Sequence, residues 1–266
     1  MTNNSKIQLA TLLPGADLLT ETTKNPVWKA PVKLLNGDTT FVYLKLLEKR
    51  QLFIESLCAI IGRAVGIPIP EPLIVKVPAS LVSSLTKCDG PTEDLYAFGS
   101  VDADYPSLNR VLNIDDGSVV WDKLREHSKS LEAAIFDEWI ANGDRHWGNL
   151  LYDGGDDFIF IDHDLALSSS INIDEGIEKN LLFNFITDDI DELSKARILK
   201  KLDEEIRVSY EKVDITDFVE LCFGSSFICE NSIDEITNFL IERINKLSVI
   251  LRKKLNPEQG DLLECI

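Results

Sequence analysis

Two short, mostly apolar segments, residues 31–35 and 40–45, stand on either side of the polar Asn36-Gly37-Asp38. Asn-Gly supplies the positive φ angles of a tight turn, so the pattern predicts a β-hairpin. Across 52–65 the apolar residues fall at helical spacing and stop at Gly66, which predicts a helix closed by a C-terminal glycine. Prolines at 68, 70 and 72 force an extended segment, and 73–77 reads as a strand. The stretch from Pro78 to Pro106 has no regular period and is expected to be loose, with 95–100 crossing between two lobes. Helical spacing returns from Leu131 to Asn142. Short apolar runs around a Gly-Gly-Asp turn then predict a second hairpin, 150–161. Residues from about 174 to 255 read as almost wholly helical and acidic. Asn231 or Ser232 is the expected cap of the last long helix. The order makes the fold class α+β, with a strand-rich N-lobe over 1–97 and a mostly helical C-lobe over 98–266.

Composition narrows the picture. Of 266 residues, 44% are hydrophobic and 27% charged, which suits one globular unit with two lobes better than two independent domains. No apolar run approaches the roughly 20 residues that cross a bilayer. The N-terminus has neither the basic start nor the long apolar stretch of a secretory signal, so a cytoplasmic protein is expected. Five scattered cysteines read as reduced, buried thiols and not as a zinc site. The net charge of −18 argues against nucleic acid and membrane surfaces as partners, because both present anionic phosphate. The densest basic run, Arg252-Lys253-Lys254, ends a helix, where cations suit the dipole.

Residues 142–164 carry the candidate chemistry. A hairpin returns to where it began, so Asn149 before the outgoing strand and Asp162 after the returning one are expected side by side. Neighbouring strands lie about 4.8 Å apart, close enough for the two side chains to share one cation. An oxygen-only pair suits magnesium, which keeps waters and takes one or two protein ligands plus phosphate. Asp144 sits five residues before Asn149 on the loop entering the same end, where a carboxylate can accept the proton of an attacking hydroxyl. An Asp, an Asn five residues on, and an Asp after a strand are the parts that kinase chemistry requires.

Gly143-Asp144-Arg145-His146-x-x-Asn149 followed by Ile161-Asp162 resembles the catalytic core of the HipA-like kinases and of the phosphoinositide 3-/4-kinase-related superfamily. Val42-Tyr43-Leu44-Lys45 resembles the strand lysine of that family, and Glu55 lies on the next helix where its partner is expected. The run from Glu55 to Pro72, ending Gly62-Arg63-x-x-Gly66-Ile67-Pro68-Ile69-Pro70-Glu71-Pro72, is more similar to HipA-like kinases than to lipid kinases. The resemblance implies a two-lobed protein-kinase-like fold, with ATP and Mg2+ as cofactors and a protein Ser/Thr hydroxyl as acceptor. Carried over by position, Lys45 holds the α- and β-phosphates and Glu55 orients it by an ion pair. Asp144 orients or deprotonates the acceptor, and Asn149 and Asp162 hold the metal. His146 either touches the transferring group or braces the loop. Arg145 pairs with a carboxylate such as Asp137 or Glu138. Tyr96 and Phe98, in the crossing between lobes, are candidate cofactor-binding residues.

The metal motif reads Asp162-His163-Asp164 where protein kinases have Asp-Phe-Gly, which makes Asp164 a second ligand or a bystander. No Gly-rich phosphate loop is present, and Thr20 to Pro26 is the candidate cover. Ser168, Ser169 and Ser170 follow the metal motif and are candidate autophosphorylation sites. A protein substrate is the expected partner and a regulatory protein a second candidate; the sequence names neither. Three alternatives share these residues: a catalytically silent nucleotide-binding module, a lipid kinase, and an enzyme transferring AMP. Lipid head groups call for a basic segment after the metal motif, yet no Lys or Arg occurs between Asp164 and Lys179.

Overall fold

The structure, a computed structural model, describes residues 6–19, 25–86, 93–112, 118–168 and 170–256. Its N-terminal part is built on strands β1 (Gln8–Leu12), β2 (Asp17–Leu18), β3 (Val27–Leu34) and β4 (Thr39–Lys45), helix α1 (Lys49–Ala64), strand β5 (Pro72–Val77), helix α2 (Ala79–Thr86) and strand β6 (Leu95–Val101). The sheet order is β1-β5-β6-β4-β3-β2, and β1 also pairs with β3. Only β1 and β5 run parallel. The hairpin of β3 and β4 forms where the two apolar segments and Asn36-Gly37 predict it, with Gly37 at φ +94° and burial alternating along both strands. Inward residues of this alternation, among them Ala30, Val32, Val42, Leu44, Val75 and Ala97, form one apolar cluster on one face of the sheet.

Helix α1 is buried continuously from Leu52 to Gly62. A helix that is apolar all round must be covered on every side. One side meets β5 and β6, and the other meets the later segments Ile215–Leu221 and Gly224–Phe227, both helical. Gly62 permits the tight approach: a Cβ there would lie 2.4 Å from Ile69 Cδ1 and 3.1 Å from Phe136 Cζ.

The C-terminal part is helical around one short hairpin. It comprises α3 (Leu108–Leu112), α4 (Ser118–Glu126), α5 (Ser130–Trp139), β7 (Leu150–Tyr152), β8 (Phe158–Phe160), α6 (Leu181–Thr187), α7 (Glu192–Lys201), α8 (Arg207–Tyr210), α9 (Ile215–Leu221), α10 (Gly224–Phe227), α11 (Glu230–Ile244) and α12 (Leu247–Leu255). Helix α5 is the central element. Its Trp139 stacks on Tyr210 with ring centroids 4.3 Å apart and donates Nε1–H to the Leu240 carbonyl.

Three expectations are corrected. The described residues of the stretch 78–106 are not loose, since they hold α2 and the central strand β6. That strand was hidden because Gly99 breaks its apolar pattern; a Cβ there would sit 2.7 Å from Val75 Cγ2, so the packing itself demands glycine. The tail is not wholly helical from 174, because α6 begins only at Leu181 and 202–206 is a π-helical turn. Helix α11 starts at Glu230 with Cys229 at its cap, which leaves Asn231 and Ser232 inside the first turn.

Candidate active site

The hairpin of β7 and β8 pairs Leu150 with Phe160, and the Ile161 N–H donates to the Asn149 carbonyl at 3.1 Å. Asn149 and Asp162 are therefore brought to the same end, as a returning hairpin requires. Asp162 adopts φ +67°, the left-handed region that Asp tolerates better than most residues. Strain of this kind is concentrated at functional sites. It makes three successive side chains diverge: Asp162 toward β4, His163 into the interior and Asp164 toward the entry of β3.

Asp162 Oδ1 lies 2.6 Å from Lys45 Nζ on β4. Burial would lower the Lys45 pKa, yet Glu55, Asp162 and Asp164 outweigh it and hold the ammonium above its ordinary value. Burial would likewise raise Asp162, but Lys45 holds that carboxyl below its usual range. Asp164 goes the other way: burial, Asp162 and Glu55 push it up to about 6. Its Oδ2 accepts a 2.9 Å hydrogen bond from Asn25 Nδ2.

Arg145 holds the hairpin ends together. It is 1% exposed and lies in the loop from α5 to β7. Its Nε and Nη2 bond both oxygens of Asp137 at 2.9 and 3.0 Å. Its Nη1 donates to the carbonyls of Asn149 and Ile161 at 2.9 and 2.5 Å. Its Nη2 also faces His163 Nε2 at 3.1 Å. Arginine has only donors, so this ring nitrogen accepts and the ring proton sits on Nδ1. Asn142 completes the network by donating to Asp137 and accepting from the Asp144 N–H. Asn149 Nδ2 donates to the Asp144 carbonyl at 2.9 Å, which ties the two loop residues together through the amide nitrogen and not the amide oxygen.

These groups stand at one end of a cleft of about 1110 Å3, including its open mouth. Val27, Tyr43, Phe98 and Ser100 line it from the sheet side, and Asn149, Leu151, Ile161 and Asp162 from the hairpin side. Helix α3 packs on 147–149 and presents Arg110 to the same cleft. Among the described residues no cluster of three or more His, Cys, Asp or Glu side chains is arranged to hold a metal ion. The Asn149–Asp162 oxygen pair fits magnesium, whose other ligands are then water and phosphate.

Lys45, Phe98, Asn149, Asp162 and Glu55 all line the cleft, while Asp144 is half-buried on the adjoining loop. Tyr96 does not join them. It shares a face with Phe98 but lies two residues earlier on β6, opposite Lys76, and is 49% exposed. Glu55 does not ion-pair with Lys45. Its Oε2 accepts the His163 backbone N–H at 2.5 Å, and its Oε1 stands 3.8 Å from His163 Nδ1. The interaction with Lys45 is electrostatic and through space. His146 is exposed and caps the turn 147–149 by accepting the Gly148 N–H, so it braces the loop. Arg145 takes Asp137, while Glu138 binds Lys254 and Asn180. Of the candidate phosphate cover, 20–24 lie outside the described residues, as does Ser169. Arg110 and the Asn25–Asp164 bond were not anticipated: an isolated arginine on a short helix gives no periodic signal, and a bond between residues 139 apart gives none either.

No helix of the described residues is long and apolar enough to cross a membrane. No curated protein matches the chain. Among solved structures, the crystal structure of the Helicobacter pylori proinflammatory kinase CtkA is similar at 12% identity with a TM-score of 0.48, covering 91% of this chain and 96% of that one. The sequence pattern of the family described as HipA-like kinase matches residues 33–215. That span is more than half of the chain and contains Lys45, Asp144, Asn149 and Asp162; the protein belongs to the HipA-like kinase family.

Proposed function

We propose that this chain is an ATP- and magnesium-dependent kinase that transfers the γ-phosphoryl group to a Ser or Thr hydroxyl of a protein. The observation that carries the reading is the meeting of Lys45, Asn149 and Asp162 at one end of the cleft, with Asp144 on the adjoining loop. The strand-rich and helical parts fit a two-lobed protein-kinase-like fold with the cleft between the lobes, and the boundary follows β6 near residue 101, since residue 97 lies inside that strand.

In this reading Phe98, Val27, Leu151 and Ile161 offer apolar surfaces for the adenine. Lys45, kept protonated by its acidic neighbours, binds phosphate oxygens. Asn149 and Asp162 hold magnesium, which when bound neutralises phosphate charge and orients the transferred group. The Asp144 carboxylate accepts the proton of the acceptor hydroxyl. Glu55 serves the site by fixing the backbone of the metal loop at His163, not by gripping Lys45. The acidic surface and the lack of basic residues between Asp164 and Lys179 favour a protein acceptor over a lipid one.

Incubation with magnesium and γ-labelled ATP, with and without cell lysate, tests the reading. Labelled Ser or Thr in a protein band, lost in Asp144→Ala and Asp162→Ala, is the expected result. Label from α-labelled ATP alone would make the enzyme a nucleotidyl transferase. Binding of Mg-ATP with no transfer of either label would leave a nucleotide-binding module.

A further inference from the structure

The geometry points to Asp164 as a positioning residue whose carboxylate tethers Asn25 and so fixes the entry of β3 against the metal loop. The inference rests on the kinase reading above and assigns a role to the acid that stands two residues after the metal ligand. Asp164 is only 6% exposed, and it receives the Asn25 amide at 2.9 Å across 139 residues of chain. Two residues after Asn25 comes Val27, which lines the cleft and pairs in register with Lys45.

The metal loop therefore grips the sheet twice, through Asp162 to Lys45 on β4 and through Asp164 to the start of β3. The two grips differ in kind. Nucleotide binding calls Lys45 to phosphate and Asp162 to metal, so their direct pair opens in the loaded enzyme. The Asn25–Asp164 bond involves neither group. It is the fastening that persists across the phosphate end while the other opens, and it sets the spacing of Val27 from Asp162 at which Mg-ATP binds. The buried acid lies in a neighbourhood of like charge, where a carboxylate without a donor is a cost, and the Asn25 amide offsets part of it.

The test is a cycle of Asn25→Ala, Asp164→Ala, the double variant and Asp164→Asn, read as KM for Mg-ATP and kcat. Each alanine is expected to raise KM about tenfold, the size of one hydrogen bond to a charged group. The effect on kcat is smaller, and the losses of the two single variants combine less than additively in the double variant. Asp164→Asn keeps an acceptor for the Asn25 amide and is expected to stay close to wild type. Additive losses would overturn the tether. So would an Asp164→Ala enzyme that demands more magnesium beside an unaffected Asn25→Ala enzyme, which would make Asp164 a metal ligand. Melting temperatures of the same unliganded proteins read the tether without nucleotide. Asn25→Ala should lower the melting temperature more in wild type than in the Asp164→Ala background; an equal drop in both refutes the tether. A wild type that shows this coupling but binds no Mg-ATP would remove the kinase reading and leave the tether standing.

Discussion

Replacing Arg145 with lysine keeps the buried charge and removes the fork, which isolates what the guanidinium geometry contributes. Arg145 makes five contacts: two to Asp137, one each to the Asn149 and Ile161 carbonyls, and one to His163. A lysine ammonium is a single point with three donors. It can stay with Asp137, but it loses at least two of the other three contacts. Hydrogen bonds to charged groups are worth about 1.5–3 kcal/mol each, so the loss comes to roughly 3–6 kcal/mol. Against a typical stability of about 5–15 kcal/mol, the variant still folds but is weakened. At about 2–4 °C per kcal/mol for a chain near this size, the melting temperature should fall by about 6–24 °C. Activity should fall with it, because the two carbonyls fix Asn149 relative to Asp162, and a misplacement on the order of 1 Å can cost ~100-fold. Thermal unfolding followed by circular dichroism measures the first effect, and γ-label transfer the second. Arg207→Lys is the control: its partner Glu211 is exposed, and such changes stay within about 0.5 kcal/mol. A drop of under about 2 °C in Arg145→Lys, with turnover unchanged, would refute the claim that the fork sets the hairpin ends.

Lys45→Met should cut phosphoryl transfer at least ~100-fold, the scale of one lost electrostatic group at the reacting centre; a variant labelling at wild-type rate would exclude Lys45 from the phosphate site. Arg243 is fully buried and donates to the carbonyls of Asn172, Ile173 and Glu175 after the metal loop and to that of Glu138. Arg243→Met orphans these acceptors and should lower the urea midpoint by the equivalent of about 3–5 kcal/mol, whereas an unchanged midpoint would mean the segment is held otherwise. Asp164 has its folded pKa raised to about 6, above the ordinary carboxylate value near 3.8. Its protonated form is thus favoured by folding, so its contribution to stability is full below pH 4 and is lost as pH rises through 6. Asp164→Asn should be more stable relative to wild type at pH 7.5 than at pH 4.5, by at most about 3 kcal/mol, and a difference constant across that range would contradict the shift.

Sequence alone determined the elements whose cause is local. Asn36-Gly37 between short apolar segments makes a hairpin wherever it sits, because only the residues of the turn supply the positive φ. The helical spacing of α1 and the hairpin that brings Asn149 beside Asp162 are likewise encoded within a few residues. So is the motif around Asp144, since its residues share one short loop. Tertiary structure decided what depends on residues far apart. Glu55 reads as a partner for Lys45 by position along its helix, but the backbone of His163 arrives 108 residues later to take its carboxylate. Tyr96 and Phe98 share one strand face in any sheet, and only the placement of the cleft beneath one end of β6 separates them. Strand β6 itself was masked by Gly99, a residue chosen by the side chain of Val75 across the pairing and not by its own neighbours. Arg243 reads as one more polar residue of an amphipathic helix until the fold closes four carbonyls around it. Periodicity and turn chemistry report the chain's local preferences; burial and charge pairing at long separation are set by which surfaces the folded chain brings together.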